Sequence, residues 1–214
     1  MDQARIRHLL KPFMAAPLAD LELSQISIYI DLLLHWNARI NLTAVRPEDS
    51  IVTRHFGESL FAAQHLFPAG GDSRTAVAYV DLGSGAGFPG LPIKIAHPRL
   101  RLTLIESNHK KAAFLREVIR ALGIIDATVF AARGEGYPAA ANGLVTLRAV
   151  ERFDQALSLA TRLVAPRGRL ALLIGSAQLD RVHRLTPGFD WLNPIPVPLS
   201  DSRILMVGGK SGEP

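Results

Sequence analysis

An α/β fold on a mostly parallel sheet, with a helical segment in front of it, is predicted by three features of this chain. Apolar residues recur at intervals of three and four in the N-terminal third, short buried runs then alternate with helical stretches, and a glycine-rich loop follows the first such run. Composition agrees: 214 residues, 48% hydrophobic and 20% charged, suffice for one compact core with an elaboration and exclude disorder, collagen and coiled coil. The absence of cysteine removes disulfides, thiolate nucleophiles and cysteine-ligated zinc together, and no metal site is expected.

The first element is an amphipathic helix over residues 21–42, begun near Asp20, with Leu23, Ile26, Ile30, Leu33, Leu34 and Ile40 at helical spacing. A second helix over residues 50–67 carries Ile51, Phe56, Leu60, Phe61 and Phe67, and Pro68 followed by Gly70 and Gly71 ends it. Residues 1–72 therefore read as a helical extension and residues 73–214 as the α/β domain. Buried runs at 77–82, 102–105, 128–131, 144–147 and 170–174 are the strands. Between the second and third, residues 111–122 place Phe114, Leu115, Val118, Ile119 and Leu122 on one face, with Gly123 at the helix end, as a crossover helix requires. Pro187, Pro194, Pro196 and Pro198 forbid a central strand in the C-terminal piece; residues 203–207 add one late strand at or near an edge, and 208–214 read as a loose tail.

Twenty-four Lys and Arg against 19 Asp and Glu give a net charge of +5, a field compatible with a polyanionic partner. No apolar run approaches the roughly 20 residues that span a bilayer, and the charged residues 1–11 lead into no signal-peptide core, so no membrane association and a cytoplasmic location are expected.

The most informative stretch is Val80-Asp81-Leu82-Gly83-Ser84-Gly85-Ala86-Gly87-Phe88-Pro89-Gly90, directly after the first strand. Glycines let the backbone turn tightly and approach a ligand at the carboxyl edge of a strand, where open α/β sheets bind nucleotides. The dinucleotide spacing G-x-G-x-x-G fits only in a register starting at Gly85, which puts a proline inside the turn. An acid two residues before G-x-G-x-G fits Asp81, Gly83, Gly85 and Gly87 without adjustment, the pattern of S-adenosylmethionine-dependent methyltransferases. Asp81 suits a ligand carrying an ammonium group. Glu106, closing the second strand, can accept from ribose hydroxyls, which either cofactor offers; it can also cap the helix that follows. Glu135 can reach an adenine edge or stand as a solvated loop charge.

Trp36-Asn37-x-x-Ile40-Asn41-Leu42-Thr43, Arg54-His55-x-x-Glu58-Ser59, the glycine loop continued through Leu91-Pro92, Glu106-x-x-x-Lys110-Lys111-x-x-Phe114-Leu115 and Arg148-Ala149 stand in a familiar order. Over about residues 20–175 the chain resembles the glucose-inhibited division protein B family, the bacterial 16S ribosomal RNA guanine-N7 methyltransferases named with the letter G. The resemblance implies a Rossmann-like class I methyltransferase domain behind a helical N-terminal extension, S-adenosyl-L-methionine as cofactor, and 16S ribosomal RNA or the small ribosomal subunit as partner, with the protein a monomer. By position, Gly83, Phe88, Gly134, Glu135 and Arg148 correspond to the family's cofactor-binding or active-site residues. Leu147, Glu151 and Glu58 depart from its usual pattern.

Guanine N7 carries an exposed lone pair, so attack on a sulfonium methyl needs no general base. The end of the fourth strand reads Val145-Thr146-Leu147-Arg148, without the N-P-P-Y-like segment of amino-directed methyltransferases. Arg148 is the expected catalytic residue, donating to guanine O6 or a phosphate, with an ion pair to Glu151 or Asp154 as its structural alternative. On the same resemblance, Arg54, His55, Lys110 and Lys111 are expected to contact RNA, together with Arg116 and Arg120. Two other readings stand beside this one: a nicotinamide oxidoreductase and a non-catalytic RNA-binding assembly protein.

Overall fold

A computed structural model describes residues 1–68 and 77–212. Helix α1 (Gln3–Leu10) is capped by Asp2, whose side chain accepts from the Arg5 amide, and α2 (Asp20–Asn37) by Glu22, whose carboxylate accepts from the Ala19 amide at 2.7 Å. Then α3 (Glu48–Ile51), a π-helical turn (Val52–Gly57) and α4 (Glu58–Leu66) run on without a break. The sheet follows with β1 (Ala78–Leu82), α5 (Gly90–Ala96), β2 (Arg101–Ile105), α6 (His109–Ala121), β3 (Ala127–Phe130), β4 (Asn142–Arg148), α7 (Phe153–Leu163) and β5 (Val164–Gly175). It closes with α8 (Leu179–Leu185), β6 (Phe189–Trp191), β7 (Ile195–Pro196) and β8 (Arg203–Lys210).

Strand order is β3-β2-β1-β4-β5-β8-β6, parallel from β3 to β5, with β8 antiparallel to both β5 and β6 and β7 pairing β8. The reversal of winding between β1 and β4 opens a crevice at their carboxyl ends. On one face the N-terminal helices share a core with α5 and α6, through Leu23, Tyr29, Phe56, Leu60, Leu91, Leu104 and Phe114. On the other, α7 buries Leu157, Ala160 and Leu163 against Val80, Val145 and Leu172. Each such leucine, valine or phenylalanine contributes about 1.5–3 kcal/mol by leaving water, so burial holds the extension as it holds the sheet domain.

Several elements differ from the sequence reading. Helix α2 stops at Asn37 rather than running to 42, because the Asn37 amide takes over the chain: Oδ1 accepts from the amides of Leu42 and Thr43, and Nδ2 donates to the Thr43 carbonyl. The second helix starts at Glu48 and changes to π geometry in its middle, around Arg54 and His55. The terminator glycines Gly70 and Gly71, and the proposed boundary after residue 72, lie outside the described residues. Helices α1, α7 and α8 and strands β6 and β7 were not read from the sequence. The tail is shorter than expected, since β8 continues to Lys210, whose Nζ donates to the carbonyls of Thr161 and Val164.

Candidate active site

A cavity of about 730 Å³ opens at the carboxyl ends of β1, β2 and β4, within the size range of small-molecule sites. Its walls come from the glycine loop, Glu106 to Asn108, Gly134, Glu135, the turn after β4, and Leu42, Thr43 and His55 of the extension. It therefore has two ends, one over the glycine loop and one between the sheet and the N-terminal helices.

At the first end the loop is built by its glycines. Gly85 and Gly87 have φ of +57° and +91°, conformations that cost an L side chain roughly 1–2 kcal/mol. A Cβ at Gly87 would lie 2.6 Å from Leu91 Cδ1 and strike the Tyr29 hydroxyl, whereas one at Gly85 would meet nothing closer than the Gly83 carbonyl at 3.9 Å. Gly87 is thus packed from behind, while Gly85 leaves space over the loop. Glu106 pins the loop by accepting from the Gly85 amide at 2.9 Å through one oxygen and from the Asn108 amide at 2.7 Å through the other. Asn108 in turn caps α6 at the amides of Lys110 and Lys111. Each Glu106 oxygen keeps a further lone pair, so this carboxylate both shapes the loop and can accept from a ligand hydroxyl.

Asp81 stands apart from the other expected cofactor residues. It does not line the cavity; its side chain is buried behind the loop, accepting from Thr146 Oγ1 at 2.7 Å and from the Gly90 amide at 3.3 Å. Burial pushes its carboxyl up to about 6, against the pull of the hydrogen bonds from Thr146, Ser84 and Gly90. The residue ties β1 to β4 and to the start of α5.

The second end is organised around Arg148, the last residue of β4. Its Nη2 donates to the Arg54 carbonyl at 2.5 Å, pairs with Glu58 Oε2 at 3.1 Å and lies 3.3 Å from His55 Nδ1. Glu58 is 1% exposed and its other oxygen is 2.6 Å from Arg203 Nε, so one buried carboxylate faces two arginines. The ion pairs expected with Glu151 or Asp154 do not form: Asp154 pairs with Arg181. Arg148 Nη1 is buried without a partner. The residue as a whole lines the cavity, and a buried polar atom without a hydrogen-bond partner calls for an explanation.

His55 completes this wall. Its ring stacks on Phe88 at 4.7 Å and its Nε2 shares a hydrogen bond with Thr43 Oγ1 at 2.8 Å. Phe88 stacks on Tyr29 from its own neighbourhood at 5.4 Å, and the Tyr29 hydroxyl donates to the Ala86 carbonyl. The column Tyr29, Phe88, His55 thereby couples the extension to the glycine loop. Burial, with Arg148 and Arg54 nearby, lowers the His55 imidazolium to about 3, so the ring is neutral at neutral pH.

The remaining expected residues divide. Gly83, Gly134, Glu135 and Lys111 line the cavity with Phe88, Gly85 and Glu106, while Gly87 supports the loop from outside the lining. Arg54 stands exposed beside the cavity rather than in it, and Lys110 is exposed on α6. Residues the sequence reading did not assign are Leu42, Thr43, Val150, Arg152 and Leu159 on the walls, and Glu58 and Arg203 behind Arg148. In the turn after β4, Ala149 and Arg152 have φ of +47° and +52°, strain that accumulates where a turn is held for function.

The sheet order, the glycine loop at the switch point and the acid at the end of β2 define a class I methyltransferase. A family model for rRNA small subunit methyltransferase G matches residues 22–191, and the chain belongs to that family. A ribosomal RNA small subunit methyltransferase G of Roseiflexus sp. (strain RS-1) is 37% identical over an alignment of 201 positions that covers 88% of this chain and 83% of the relative. Its counterpart in Chromobacterium violaceum is 34% identical over 185 residues, 86% of this chain and 85% of the relative. Among solved structures, a ribosomal protein L11 methylase from Lactobacillus delbrueckii subsp. bulgaricus superposes with a TM-score of 0.59 at 10% identity, covering 74% of this chain and 79% of its own, a likeness of fold alone.

Proposed function

We propose that the protein methylates N7 of a guanine in 16S ribosomal RNA, using S-adenosyl-L-methionine, and that it does so as a monomer in the cytoplasm. The observation that carries this reading is the cavity itself: a pinned glycine loop and a carboxylate at one end, and a largely buried arginine held by Glu58 at the other. Family membership favours methyl transfer over the oxidoreductase and non-catalytic readings.

The residues fit the cofactor. Gly83 and Gly85 offer close backbone approach, Glu106 accepts from ribose hydroxyls, and Gly134 and Glu135 lie where the base would rest. When bound, this group supplies an electrophilic methyl on a sulfonium.

Arg148 holds the target. Its guanidinium, on the cavity wall, donates to guanine O6, the acceptor beside N7, and leaves the N7 lone pair free to attack. No side chain has to remove a proton, and neutral His55 adds neither an acid nor a competing charge. Leu42, Phe88, Val150 and Leu159 supply the apolar part of the wall. The rate gain is then one of proximity and orientation, worth on the order of 7–11 kcal/mol for well-aligned reactants. Incubating the purified protein with methyl-labelled cofactor and either 16S RNA or small subunits tests this: label should appear at one guanine and sensitise the strand there to borohydride and aniline cleavage. Label on an exocyclic amine, on protein, or nowhere contradicts the reading.

A further inference from the structure

A second cleft, of about 460 Å³, adjoins the reaction cavity and shares Thr43 with it. It is walled by Ala44, Val45, Pro47 and Ser50 and flanked by Arg46 and Arg54. Both arginines are exposed, and neither has a carboxylate at ion-pair distance among the described residues; the neighbouring Asp49 is engaged by Arg5 at 2.7 Å. Two free guanidinium groups across an apolar floor make a different site from the nucleoside end of the cavity, which carries Glu106 and Glu135.

The position of the cleft gives it meaning. Thr43 Oγ1 and His55 Nε2 form the partition between the two spaces, and the carbonyl of Arg54 anchors Arg148. A base held by Arg148 leaves its ribose and phosphates at the rim, and the next nucleotide of the strand has to lie within one backbone step. At the end away from Glu106 and Glu135, that step leads over Thr43 to Arg46 and Arg54. Planar guanidinium forks match phosphate oxygens, and the Val45 and Pro47 surface suits a sugar or a splayed base.

We propose that this cleft is a subsite for the nucleotide adjoining the target guanine, with Arg46 and Arg54 clamping its phosphates; the inference rests on the RNA-methyltransferase reading above. It separates two residues that the sequence placed together: His55 belongs to the reaction cavity and Arg54 to the strand beside it.

The test uses the whole protein and a 16S RNA fragment. In the double variant Arg46→Ala with Arg54→Ala, RNA binding should weaken about tenfold at low salt, and the slope of log affinity against log salt should become shallower by about 1.4, two single-strand phosphates at roughly 0.7 each. The half-saturating RNA concentration should rise by more than the saturated rate falls, and Arg46→Lys with Arg54→Lys should restore the slope. Arg101→Ala, at the amino end of β2 and away from the carboxyl ends that form the cavity, supplies the comparison and should leave the slope as in the wild type. An unchanged slope and affinity in the double alanine variant, with wild-type protein active, overturns the subsite. Wild-type protein that binds S-adenosylhomocysteine but never methylates RNA would instead overturn the reading on which it rests.

Discussion

Glu58 and Arg148 stand 90 positions apart in sequence and meet at 3.1 Å, the carboxylate from the first turn of α4 and the guanidinium from the end of β4. The helical extension therefore supplies the counter-charge that fixes the arginine at the ligand edge of the sheet. Without it, Arg148 and Arg203 would face each other unneutralised, with Arg54 close by.

Replacing that carboxylate should be expensive. Glu58→Gln leaves two guanidinium groups without a counter-charge in a buried setting, and losing one partner of a buried pair costs roughly 3–5 kcal/mol. Glu58→Asp keeps the charge and should lose less. Denaturant midpoints of the two variants check this; equal, small losses would show that the pair contributes little.

The glycine loop separates two kinds of substitution. Gly85→Ala should fold with a penalty of about 1–2 kcal/mol, since its Cβ meets open space, and lose affinity for S-adenosylhomocysteine. Gly87→Ala should destabilise more, because its Cβ presses on Leu91 and Tyr29. Thermal unfolding paired with calorimetry distinguishes them, and a Gly85→Ala protein with wild-type affinity would refute the assignment.

Two buried groups give opposite pH dependences. Asp81 has its carboxyl raised to about 6, so the stability it contributes is full below the unfolded value near 3.8 and is lost as pH rises through 6. His55 is lowered to about 3, so its contribution is present above the unfolded value near 6.5 and is lost as pH falls towards 3. Between pH 4 and 6 they oppose each other. Asp81→Asn can keep its hydrogen bonds by reversing the Thr146 and Tyr79 hydroxyls, and it should make stability fall more steeply from pH 6 to 4. His55→Gln should make that fall shallower. Unfolding free energies at several pH values decide; matching slopes in all three proteins would remove both assignments.

Much of this was legible in the sequence for physical reasons. The five parallel strands announce themselves as short apolar runs, and the glycine loop and Glu106 are local in sequence, so their place at a strand end follows from spacing alone. What was not legible depends on distant partners. The sequence cannot show that Thr146, 65 positions away, donates to Asp81 and ties β1 to β4. Glu151 and Asp154 are the acids nearest Arg148 in sequence, yet its partner is Glu58 of α4, because nothing local reveals that α4 packs across the sheet edge. Asn37 carried a readable signal: an asparagine five residues before Leu42 and six before Thr43 closes a helix through side-chain bonds to the backbone.

Arg148→Ala should reduce single-turnover methyl transfer by far more than it reduces RNA affinity, since one contact among many is lost but the base is no longer held in line. The two quantities measured on one preparation separate the roles. If they fall together with a shallower salt slope, Arg148 is an electrostatic contact only.

The most direct test of the central claim is a mass map of 16S ribosomal RNA from a strain lacking this gene, set beside the parent and a strain restored with the wild-type copy. The account predicts that a single N7-methylguanosine disappears on deletion, returns with the wild-type copy and does not return with Arg148→Ala. An unchanged methylation map in the deletion strain would contradict it.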